Sequence, residues 1–75
     1  MPRLATFNGI AICIYADDHN PPHIHIYHGD YSALVLIHSG AILEGYVPSK
    51  QHKQVQDWLD ENRAYAQAKW DELNP

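Results

Sequence analysis

From Lys50 to Leu73 the chain contains neither proline nor glycine, and this uninterrupted run limits the possible folds more than any other feature. Those two residues are the usual helix breakers, so a stretch of this length without them reads as one long helix. Pro48 closes whatever precedes it and Ser49 is a good N-cap, which sets the helix at about residues 50–73. At about 100° per residue, Val55, Leu59, Ala66, Trp70 and Leu73 fall on one stripe, with Trp58 and Tyr65 at its margin. Asn62 interrupts the stripe, and a buried amide there needs a partner on the sheet backbone or on a side chain. Arg63 sits at the stripe's edge, where its stem can pack while the guanidinium reaches the sheet rim.

The residues before Pro48 have the period of strands. Ile10, Ile12 and Ile14 alternate with Ala11, Cys13 and Tyr15, which predicts a strand over about residues 9–15. Asn8-Gly9 before it is either a two-residue hairpin turn or a kink in one longer strand. His23 to His28 is a second strand, with His23, His25 and Tyr27 on one face and Ile24, Ile26 and His28 on the other. Gly29-Asp30 turns the chain into Tyr31–Ile37, apolar enough to be a central strand covered on both faces. His38-Ser39-Gly40 is a tight turn before a strand from Ala41 to Val47. The expected fold is α+β: one domain over residues 1–75, with a meander of about four antiparallel strands within residues 3–47. One long C-terminal helix packs on one face of that sheet.

One helix covers one face only. Ala11, Cys13, Tyr15, His23 and His25 would then share the other face, which is too apolar to stand in water and suggests a homodimer or a small partner protein. At 75 residues only roughly 60% of the unfolded surface can be buried, so such help is physically useful. The single cysteine, Cys13, rules out an internal disulfide and fits a reducing cytoplasm. No apolar run reaches membrane-spanning length, and Met1-Pro2-Arg3 lacks a signal peptide's apolar segment. A formal charge of −4 with five scattered cations leaves nucleic-acid binding weak or dependent on a partner.

The segment Asp17-Asp18-His19-Asn20-Pro21-Pro22-His23-Ile24-His25 is where the chemistry concentrates. The double proline stiffens the loop, and a cis bond before either proline is the minority form. His23 and His25 point the same way from a strand, and His19 on the loop can complete a divalent metal site with them, with Asp17 or Asp18 as the carboxylate option. A metal-free alternative uses His23 or His25 as acid–base groups oriented by Asp18, with Arg63 stabilising developing charge. The bland reading is a solvated turn whose Asp and Asn side chains cap backbone amides. His38 and His52 read as solvated residues, and no Gly-rich phosphate cradle or other cofactor-binding pattern is present.

That nine-residue segment resembles the bacterial family catalogued as domain of unknown function 4160. Phe7-Asn8-Gly9-Ile10, Gly29-Asp30-Tyr31, Leu43-Glu44-Gly45, Val47-Pro48, Val55, Trp58, Arg63 and Trp70 extend the resemblance over almost the whole chain. Asn62 stands where a histidine often precedes the arginine, and Lys69 where an asparagine often precedes the tryptophan. The resemblance implies a small cytoplasmic bacterial protein, a toxin–antitoxin or transcription-regulatory module acting through protein contacts. The alternative is a small His-dependent nuclease or hydrolase holding a divalent metal through His19, His23 and His25.

Overall fold

The computed structural model describes residues 3–75. Five strands, β1 (Arg3–Phe7), β2 (Ile10–Cys13), β3 (His23–His28), β4 (Tyr31–Leu36) and β5 (Ile42–Tyr46), precede one helix, α1 (Ser49–Leu73). The strands form one antiparallel sheet in sequence order, so the α+β meander is as expected, with five strands instead of about four. The added strand comes from Asn8-Gly9. Asn8 at φ 49° and Gly9 at φ 74° are both left-handed, the requirement of a two-residue hairpin turn, so Arg3–Phe7 folds back on Ile10–Cys13.

Register decides which side chains meet. Ile12, Ile26, Ala33 and Gly45 lie in one row across β2 to β5, and Cys13, His25, Leu34 and Glu44 lie in the next. Because side chains alternate, the first row faces α1 and the second faces away. Ile10, Ile12, Ile14, Ile24, Ile26, Val35 and Ile37 form the core with Val55, Leu59, Ala66 and Trp70 of the helix stripe. Leu73 and Trp58 are half-buried against this core, while Tyr65 is exposed. Cys13 is a free, buried thiol. Tyr31–Leu36 is covered on one face only, unlike the doubly covered central strand expected.

Three details of α1 differ from expectation. Pro48 holds the N-cap position and no side chain caps the helix, because Ser49 is already its first residue. Asn62 finds its partner within the helix: its Nδ2 donates to the Trp58 carbonyl at 2.9 Å. Its own φ of −129° and ψ of 17° mark a kink there, as expected where a polar side chain competes for the helical ladder. Third, His52 is not a solvated residue. Its Nε2 donates to the Gly40 carbonyl at 2.8 Å and ties the first turns of α1 to the β4–β5 turn. Arg63 does reach the rim, where its Nε donates to the Ile37 carbonyl at 2.8 Å.

Two glycines should separate conformational strain from close approach. Gly29 has φ +58° with open space around it, whereas at Gly45, φ +84°, an added Cβ would meet the Ser32 carbonyl and lie 2.8 Å from Ala33 Cα. Gly29→Ala should therefore cost about 1–2 kcal/mol, the left-handed penalty alone, and Gly45→Ala at least about 3 kcal/mol in urea unfolding.

Candidate metal and acid–base site

Asp18 is the centre of the nine-residue segment. Its Oδ2 lies 2.9 Å from His25 Nε2 and 3.0 Å from His23 Nε2, and its Oδ1 lies 3.1 Å from His19 Nδ1. Oδ1 also accepts the His19 backbone N–H at 2.9 Å. Strand geometry brings His23 and His25 together, with ring centroids 5.2 Å apart, and the loop returns Asp18 to meet them. The Asn20–Pro21 peptide in that loop is cis, the minority form.

His23 is wholly buried although it shares a strand face with the half-exposed His25. Trp70 closes it from the helix side at a centroid distance of 5.1 Å. The Pro21 carbonyl lies 2.8 Å from His23 Nδ1, and a carbonyl only accepts, so Nδ1 carries the proton. In the neutral ring that leaves a lone pair on Nε2, facing Asp18. The two atoms are close but not aligned for a hydrogen bond, and Nε2 is a buried nitrogen without a hydrogen-bond partner among the described residues. Such a group costs about 1–3 kcal/mol unless something else meets it.

Asp18, His23 and His25 each present one donor atom, and these atoms lie within 4.8 Å of one another. Two imidazoles and one carboxylate suit Zn²⁺, Fe²⁺ or another first-row divalent ion, and the Pro21 carbonyl supplies the outer hydrogen bond typical of a ligating histidine. His19 is mostly exposed, beside the other carboxylate oxygen, with its ring 5.3 Å from that of His23. Asp17 takes no part in this donor set; at φ 56° it forms the turn that presents Asp18. Arg63 is engaged elsewhere. Besides Ile37 it bonds Asp60 at 3.2 Å, and none of its hydrogen bonds reaches the cluster.

Two neighbours of the site had no signal in the sequence beyond helix periodicity and helix ending. Trp70 belongs to the core stripe but also caps His23. Asn74, just past α1, accepts the Asp18 backbone N–H through Oδ1 at 2.7 Å. On the open sheet face a groove of about 240 Å³ begins at His25 and runs past Tyr27, Ser32 and Leu34 to Glu44. A more polar cleft of about 390 Å³ borders Asp17, Asp18, Asn20 and Asn74.

A five-stranded meander backed by a kinked helix, with a carboxylate–imidazole cluster at its rim, defines the class of domain. The chain belongs to the family described as Domain of unknown function (DUF4160), whose model matches residues 9–71 and thus spans the whole cluster and Trp70. No curated protein and no solved structure matches the chain.

Burial by itself would raise the Asp18 carboxyl, but the His25 hydrogen bond, the His19 amide and the charges of His23 and His25 outweigh it and hold the group below its ordinary value of 3.8. A depressed carboxyl stabilises the fold above its unfolded value, and that contribution is lost as pH falls through the folded one. Wild type should therefore lose its stability advantage over Asp18→Asn as pH drops below about 4, and the two urea midpoints should converge.

Proposed function

We infer that the protein is a small metal-binding module whose Asp18, His23 and His25 hold one divalent transition-metal ion, with hydrolysis as the chemistry such a centre serves. The buried Nε2 of His23 carries this reading: its ring is fixed by the Pro21 carbonyl, and the nitrogen, left without a hydrogen bond, lies within 4.8 Å of the two other donor atoms. A bound cation accounts for the missing partner. Three protein ligands leave coordination positions open, and a divalent ion there lowers the pKa of bound water toward about 7. His19 stands at the exposed side, able to close the site or to exchange a proton beside it.

The surrounding charge favours a substrate other than nucleic acid. Lys53 pairs with Asp57, Lys69 with Glu72 and Arg63 with Asp60, all along α1, while the groove and the cleft carry Glu44, Asp17 and Asp18. A phosphate backbone would meet negative charge there, so nuclease action requires cations from a partner.

A second reading, a toxin–antitoxin or regulatory module acting through protein contacts, is favoured by the open sheet face. Tyr27 and Tyr46 stand exposed there with half-buried Tyr15, Leu34 and Leu36, and the Tyr15 and Tyr27 hydroxyls bond each other at 2.8 Å. That bond, with some burial, raises the Tyr15 phenol above its usual range. A homodimer or a small partner would cover these rings, and the lone buried thiol suits the cytoplasm. Among the described residues no helix is long and apolar enough to cross a membrane.

Untagged protein titrated with Zn²⁺ or Co²⁺ against a competing chelator tests the main reading. One equivalent per chain should bind, and at a hundredfold excess over Kd the melting temperature should rise by about 10 °C or more. His25→Ala should weaken binding at least about a hundredfold. No binding by wild type, or equal binding by the variant, contradicts it. Partner co-purification that survives chelation would instead support the contact reading.

A further inference from the structure

The loop that carries Asp18 is braced at its proline end by the bond from the Ile37 N–H to the Pro22 carbonyl. It joins β2 to β3 and turns sharply at Asp17, whose φ of 56° is left-handed. The Asp18 backbone N–H is donated to Asn74 Oδ1 at 2.7 Å, across a sequence separation of 56 residues. The same side chain's Nδ2 donates to the Tyr15 carbonyl at 3.1 Å and to the Trp70 carbonyl at 3.3 Å. A backbone N–H only donates and carbonyls only accept, so these partners fix the amide in one orientation. Asn74 thus bridges the chain on both sides of Asp17 and ties it to the last turn of α1. That turn also places Trp70 on the His23 ring.

We propose that Asn74 is a positioning residue for the metal centre, clasping Asp18 in ligating geometry from the end of α1. The proposal rests on the metal-binding reading of Asp18, His23 and His25. His23 and His25 stand on a strand that the sheet already orders, whereas Asp18 stands on a loop and must be brought to them. Without the clasp the three donors exist but the carboxylate spends less time in place, and affinity falls. Outer hydrogen bonds of this kind change metal affinity by about 10–100-fold. The helix end itself does not depend on the side chain, because the Asn74 backbone N–H bonds the Trp70 carbonyl at 2.8 Å.

The test compares the full chain with Asn74→Ala and Asn74→Asp, reading Zn²⁺ affinity by chelator competition, amide exchange at Asp18 by NMR, and melting temperature. Asn74→Ala should bind Zn²⁺ about 10–100-fold more weakly and exchange the Asp18 amide faster, with a melting temperature within a few degrees of wild type. Asn74→Asp keeps an acceptor for that amide but loses the donor to the Tyr15 and Trp70 carbonyls, so amide protection and Zn²⁺ affinity should fall together, to values between those of Asn74→Ala and wild type. Wild-type affinity in Asn74→Ala overturns the clasp and leaves the metal reading standing. No Zn²⁺ bound by wild type overturns both, and wild type alone reveals it. Should Asn74→Ala fail to fold, Asn74→Asp decides: wild-type Zn²⁺ affinity despite faster exchange of the Asp18 amide, or lowered affinity with that amide still protected, overturns the clasp.

Discussion

One carboxylate oxygen, Asp18 Oδ2, stands within 3.0 Å of two imidazole nitrogens, and the region's architecture follows from the need to satisfy that meeting. Metal-free, His25 can donate to Asp18 in the ordinary way. His23 cannot when neutral, because its only N–H is spent on the Pro21 carbonyl. A wholly buried ring with an unmatched nitrogen is an expense in a domain this small, where total stability is about 5–15 kcal/mol. A cation shared by Asp18, His23 and His25 would turn the same geometry into a ligand set.

The rest of the chain places these groups from two directions. The sheet delivers His23 and His25 two residues apart on β3, with His25 in the row of Cys13, Leu34 and Glu44 that faces away from the helix. The helix contributes its last turn, where Trp70 closes His23 and Asn74 holds the loop. Farther along, Arg63 bonds the Ile37 carbonyl while the Ile37 N–H bonds the Pro22 carbonyl at 3.2 Å, so the proline segment is braced through the residue that follows β4. Of the two uses the sequence suggests for Arg63, this is the contact at the sheet rim, away from the cluster whose charge it was a candidate to stabilise.

Much of this was legible in the sequence because it depends on period and punctuation. The isoleucine alternation, the helix without glycine or proline, the core stripe and the grouping of His23 with His25 all follow from local rules. The first hairpin was harder, since Asn8-Gly9 suits either a turn or a kink and only pairing of Arg3–Phe7 with Ile10–Cys13 decides between them. Ser49 has the right chemistry for a cap but sits one residue inside the helix. Asn74 and the Pro21 carbonyl lay beyond reach for a different reason. One acts across 56 residues of chain, and the other is a backbone atom that any residue would supply.

Which nitrogens of His23 and His25 are free is reported directly by long-range ¹H–¹⁵N correlation spectra of the imidazoles. As one equivalent of Zn²⁺ is added at neutral pH, the Nε2 resonances of both rings should move together to metal-bound positions while Nδ1 of His23 stays protonated. Imidazole spectra that do not change under excess Zn²⁺, or a His23 ring protonated on Nε2 and bare on Nδ1, would contradict a metal centre at Asp18, His23 and His25.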